Sequence, residues 1–239
     1  VTTDSDPVSA QVPSRGDTHD GRRGLFGLVL LTSIAIAVFA PLQYLGGDLA
    51  ELGAGGNRVA ANYAQRSALI QAVLYIHIVT AGVALVVGGA QFSHRLRTRF
   101  PLAHRYSGRL YAVAALLGGA SGLVVACTSA AGLTGLIGFG ALAVGWMWST
   151  ASGWASARSG RIADHRAWMI RSFALAYAAV TLRVWLLVTI PLLGGFDTAG
   201  DNFARAYAPV PFLCWIPNLI VAETLIARRN LPGLRPSGG

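Results

Sequence analysis

Apolar residues in this chain fall into blocks far longer than the helices of a water-soluble domain require. After Arg22 and Arg23, residues 24–47 carry no charge, about the length needed to cross a hydrocarbon core of roughly 30 Å. Residues 67–93 form a second charge-free block, with His77 inside it. From Arg109 to Arg158 there is no formal charge at all, and one helix of that length would reach roughly 70 Å. The block therefore turns back on itself, and the Gly132, Thr134, Gly135 cluster is the natural turn. The pattern predicts six helices, over residues 24–47, 67–93, 108–130, 133–157, 165–190 and 207–226, the fifth ending at Pro191. Two basic residues before an apolar run also open secretory signal peptides. Here the run is too long for that, and Pro41 follows residues 35–40 where cleavage would be needed.

The predicted fold is all-α, a six-helix transmembrane bundle. Residues 1–23 read as a flexible polar tail, 24–228 as one membrane domain and 229–239 as a short basic tail. Gly53, Gly55 and Gly56 read as part of an exposed external loop. The two halves show no internal repeat and no span looks interrupted, which argues against the inverted-repeat transporters.

Composition sharpens this picture. The chain is 54% hydrophobic and only 12% charged, against about a quarter charged for soluble domains, so an ordinary cytosolic enzyme is excluded. Its net charge of +9 comes entirely from arginine, and most of these arginines flank the apolar blocks. Placing both termini in the cytoplasm puts nearly all loop arginines inside and leaves Arg58, Arg66 and Arg205 outside. The expected location is a plasma membrane, with anionic lipids as neighbours and no need for nucleic acid. Cys127 and Cys214 lie in apolar segments without metal-type spacing. No serine triad order, P-loop, H-E-x-x-H or dinucleotide fingerprint is present.

Candidate chemistry lies where polar groups are expensive. Arg171 and Glu223 sit at similar depth, roughly 9 Å inside the cytoplasmic ends of helices five and six, and are expected to pair. Arg183 and His77 lie toward the outer half. Arg183 is expected to snorkel to the outer interface and His77 to hydrogen-bond a neighbouring helix, an outer polar pair being the alternative. At the cytoplasmic edge gather Gln91, His94, His104, Arg105, Arg109, Tyr111, His165, Arg166 and Trp168. If the third helix begins near His104, then His104, Gly108 and Tyr111 form one stripe at i, i+4 and i+7. Imidazoles with guanidiniums at a membrane interface suit an anionic group: a lipid phosphate, a heme propionate or a substrate carboxylate.

His104-Arg105-x-x-Gly108-Arg109-x-Tyr111, then His165-Arg166-x-Trp168-Met169-x-Arg171 and Thr181-Leu182-Arg183, resemble the domain of unknown function 2306 family of predicted bacterial membrane proteins. His77, Gln91, the Pro217-Asn218 step and Glu223 are similar to that family's pattern as well. The resemblance covers about residues 70–226 and implies a membrane fold without an assigned activity. The chemistry leaves three readings. One is a redox protein binding b-type heme, with His104 or His94 opposite His165 on the iron and Arg105 or Arg166 on the propionates, or binding quinone. Only His77 serves the outer half, which disfavours a second heme. The others are a lipid-binding or small-anion-binding protein or transporter, and a membrane-complex assembly factor or subunit.

Overall fold

The computed structural model describes residues 15–193 and 201–234. The expected tail therefore lies largely outside the described residues, although helix already begins at Arg15. Among the described residues every regular element is helical, and six stretches are long and apolar enough to cross a bilayer: Gly24–Leu42, Ala68–Gln91, Pro101–Cys127, Gly132–Arg158, Ile162–Leu192 and Phe203–Arg228. The elements in chain order are α1 (Arg15–Leu42), α2 (Leu49–Ala54), α3 (Arg58–Ala64), α4 (Ala68–Gln91), α5 (His94–Arg99) and α6 (Pro101–Cys127). There follow α7 (Gly132–Arg158), α8 (Ile162–Ala176), α9 (Ala178–Leu192), α10 (Asp201–Tyr207), α11 (Val210–Leu213) and α12 (Ile216–Arg228).

The third span starts seven residues earlier than its apolar block suggests, at Pro101. A proline in the first turn has its φ already set for helix and lacks only an N–H that would have no partner there. That extension carries His104 and Arg105 onto α6. Gly132, with φ of +57°, makes the turn into α7, a conformation that costs a residue with a side chain. Pro191 lies inside the last turn of α9 rather than ending it.

Two spans are interrupted, contrary to the unbroken pattern expected. The fifth pauses at Tyr177 between α8 and α9, and the sixth is built in pieces, α10 to α12. Pro209, Pro211 and Pro217 explain the second interruption, because proline supplies no amide hydrogen and its ring crowds the preceding turn. Asn218 answers both breaks. Its Nδ2 lies 3.0 Å from the Cys214 carbonyl oxygen and 3.1 Å from that of Ala174, the carbonyl that the amide of Ala178 would otherwise use in a continuous helix. Thr181 Oγ1 also donates to the Cys214 carbonyl. The freed backbone groups are thus satisfied by polar side chains, as burial in an apolar phase demands.

The segment between the first two spans is exposed at Gly55 and Gly56, as expected, but around that turn it is built from two short helices rather than loop. Asp48 caps α2 through the amides of Ala50 and Glu51, Glu51 returns a bond to the Asp48 amide, and Asn57 caps α3. Leu49, Ala60 and Tyr63 are buried against Leu74. Tyr63 Oη lies 2.8 Å from Thr128 Oγ1, and Asn62 donates to the Thr128 carbonyl at 2.9 Å, so this pair of short helices is fastened to the end of α6.

The centre of the bundle is Ala84, Tyr111, Ala114, Ala115, Trp146, Leu175 and Ala176. Small residues let the backbones approach. A Cβ on Gly118 would stand 3.1 Å from the Trp146 ring, and one on Gly122 2.9 Å from the His77 ring. The outward faces are lined by leucine, isoleucine and valine, including Leu28, Leu31, Leu117, Ile137 and Leu187. Only a lipid phase makes such exposure favourable.

Candidate functional site

At the end of the bundle where α4 meets α5 and α6, a cavity of about 1230 Å³ opens. Gly108 and Tyr111 from α6, Gly88 and Gln91 from α4, Thr150 and Trp154 from α7, and His165, Met169 and Phe173 from α8 line it. Six arginines reach it: Arg97, Arg105, Arg109, Arg158, Arg166 and Arg229. His94, His104 and His165 join them, and none of the described residues lining the cavity is acidic. The arginines are exposed at its rim, whereas Gly88, Tyr111 and Thr150 are buried at its floor.

The floor is rigid. A Cβ on Gly88 would stand 2.9 Å from the Phe173 ring and would also meet the Tyr111 ring, so the two aromatic rings rest directly on the α4 backbone. Tyr111 is fully buried, and its hydroxyl shares a hydrogen with Ser172 Oγ at 2.6 Å. Ser172 in turn lies 2.7 Å from Thr150 Oγ1, which also donates to the Trp146 carbonyl. Gln91 Nε2 donates to Ser107 Oγ at 2.6 Å. These hydroxyls satisfy one another and fix the aromatic rings in place.

The walls hold the histidines differently. His165 Nδ1 lies 2.8 Å from the Gly153 carbonyl oxygen. A carbonyl only accepts, so Nδ1 carries the hydrogen and Nε2 is the remaining acceptor. His104 Nδ1 is buried without a partner. Above them, Arg97 donates to the carbonyls of Gln91 and Phe92, both at 3.3 Å, closing the C-terminal turn of α4. Partial burial first, and then the cations Arg166 and Arg229, press the Arg97 guanidinium below its ordinary range. The rim is therefore a region of crowded positive charge, and an anion placed there would lower its energy.

The structure brings together eight of the candidate residues in this cavity: Gln91, His94, His104, Arg105, Arg109, Tyr111, His165 and Arg166. The stripe of His104, Gly108 and Tyr111 faces it along α6. The remaining candidates lie elsewhere. Arg171 and Glu223 form the expected ion pair, with Nε to Oε1 at 2.6 Å and Nη2 to Oε2 at 2.9 Å, two parallel bonds. Trp168 lies over the same guanidinium, its ring centre 4.9 Å away. Asn218 serves the interrupted helices. His77 hydrogen-bonds Gly118 across the α4–α6 contact, as expected. Arg183 does not snorkel to the outer interface; its guanidinium folds back on the Ala179 carbonyl and shares a small second cavity with His77.

Arg97, Arg158 and Arg229 were readable only as topology signals, because membrane-flanking arginines need no site. Thr150 and Phe173 carried no signal beyond packing, and Met169 stood only inside the family motif. The depth of Trp154 near one end of α7 was the best available clue to it.

Fold and cavity define the class: a multi-pass α-helical membrane protein. Residues 74–226, more than half of the chain, match a family described as predicted membrane protein, DUF2306, and the chain belongs to that family. Comparison with curated proteins finds no match. Comparison with solved structures finds none either.

Proposed function

We propose that this protein holds an anionic group, a phosphate or carboxylate borne on an apolar body, in the arginine-rimmed vestibule on the cytoplasmic side of a plasma membrane. One observation carries the reading: six arginines and three histidines converge on a single cavity that no acidic residue lines among those described. Like charges gathered this way repel, and guanidinium forks fit phosphate and carboxylate oxygens two at a time. Trp154, Met169, Ile170 and Phe173 give the cavity an apolar side, which suits a ligand with a chain or ring behind its charge. Arginine flanking supports the cytoplasmic assignment, where anionic headgroups are the abundant source of phosphate.

Native mass spectrometry of delipidated protein, offered phosphatidylglycerol or phosphatidylcholine in mixed micelles, tests this. Phosphatidylglycerol is expected to be retained selectively, and R109Q/R166Q to weaken retention by about tenfold or more, given about 1.5–3 kcal/mol for a hydrogen bond to a charged group before solvent screening. Competition by inorganic phosphate would mark a free anion as the ligand rather than a lipid. Equal retention of the two lipids together with no binding of inorganic phosphate overturns the reading.

A b-type heme is a second reading, favoured by His165. Its Nδ1 is tied to a backbone carbonyl, the arrangement that orients ligating histidines and frees Nε2 for a metal. His104 comes to the same cavity from another helix, with Arg105 and Arg166 placed for propionates. The absorption spectrum of the purified protein decides it. A Soret band that shifts on reduction and vanishes in H165A supports heme; a colourless protein removes it.

A further inference from the structure

A second, smaller cavity of about 90 Å³ lies between α1, α4 and α9, lined by His77, Leu85, Ala40 and Arg183 among others. It sits close behind the vestibule. Gly88 lines the vestibule and Leu85 the small cavity, so along α4 the two approach within about 4.5 Å of helix rise. Along the fifth span, Phe173 belongs to one and Ala179 to the other, with the interruption at Tyr177 between them.

The polar groups of this cavity are complementary in kind. His77 Nδ1 is 2.8 Å from the Gly118 carbonyl oxygen, so the hydrogen is on Nδ1 and Nε2 keeps a lone pair. Its Nδ1 and Cε1 edge faces Gly122 on α6. Arg183 has five N–H donors, one of them committed to the Ala179 carbonyl. One wall thus offers donors with positive charge and another offers an acceptor. A guanidinium this deep in a span is costly and marks a functional position by default. At about 90 Å³ the cavity is far smaller than the vestibule, and it suits a compact ion better than a lipid headgroup.

We propose that His77 and Arg183 form a second binding site, for a compact oxyacid monoanion that still carries at least one hydroxyl, of the hydrogencarbonate or dihydrogen phosphate type. Its charged oxygens take the free donors of Arg183, and its hydroxyl donates to His77 Nε2. Halides and nitrate bring no hydrogen for the imidazole and are disfavoured. The site is independent of whatever the vestibule holds.

Full-length protein labelled with ¹⁵N-histidine, in detergent micelles at fixed pH and ionic strength, provides the test. The Nε2 signal of His77, assigned by its loss in H77Q, is followed as sodium hydrogencarbonate or phosphate is added. A saturable shift with at least one of them, and none with chloride or nitrate, is expected. The shift should disappear in R183Q and in A40L, which fills the cavity from α1 while keeping both polar groups, and should survive in R109Q/R166Q. If R183Q does not fold, A40L alone decides. A response to neither oxyanion, an equal response to chloride, or a shift that persists in A40L overturns the proposal.

Discussion

Arg171 is 4% exposed and its partner Glu223 41% exposed, so the two ends of this ion pair have unequal stakes. Removing the carboxylate leaves a buried guanidinium with Trp168 alone for company, whereas removing both charges leaves a gap that apolar side chains can fill. Breaking a buried pair costs about 3–5 kcal/mol, and the solvent-accessible side of Glu223 moves the expectation to the low end. E223Q should therefore destabilise the protein in detergent by about 3 kcal/mol, and R171M/E223L by clearly less, as read from thermal unfolding. Equal losses would show that the charges contribute little beyond packing. Gly88 makes a sharper steric case. G88A drives a methyl into Tyr111 and Phe173, and overpacking of this kind costs about 1–3 kcal/mol. The same substitution should disturb the vestibule floor, so anion retention should fall together with the unfolding temperature.

Among elements, the interrupted fifth and sixth spans depend on one another. N218L removes the donor that serves the Ala174 and Cys214 carbonyls. Each unsatisfied buried group costs about 1–3 kcal/mol, and hydrogen exchange should accelerate at residues 177–182 and 212–218 before it does in α6 or α7. The cap formed by α2 and α3 has its own sensitivity. Burial raises the Tyr63 phenol above its ordinary value, so folding favours the protonated form. Its contribution is intact below the unfolded value of about 10 and is lost as pH rises through the higher folded value. Exchange in α3 should therefore rise in that alkaline window ahead of the bundle, and Y63F should abolish the pH dependence. Neither the cap nor the breaks were legible in the chain. Helices of six and seven residues exist through tertiary contacts rather than periodicity, and the reach of Asn218 back to Ala174 spans 44 positions. By contrast, the pairing of Arg171 with Glu223 could be read from depth alone, because a fixed rise per residue places two charges on a common level.

For the whole molecule, six spans were legible from apolar length, since a bilayer demands about the same thickness of every crossing. The convergence of Arg97, Arg158 and Arg229 on one cavity was not, because charge at a span end looks the same whether it meets lipid or a pocket. The assembled bundle makes a topological prediction. Single cysteines at 97, 158 and 229 should react with an impermeant maleimide from one side of a membrane vesicle, and one at 66 from the other. Reaction of all four from the same side would refute the alternation of spans.

The ion pair also bears on how the protein is made. Arg171 and Glu223 are separated by 52 positions, so a nascent chain commits its fifth crossing to the bilayer well before the neutralising carboxylate emerges from the ribosome. During that interval the guanidinium depends on headgroups or on the insertion machinery for company. A chain that stops short of the last helix would leave Arg171 without its carboxylate.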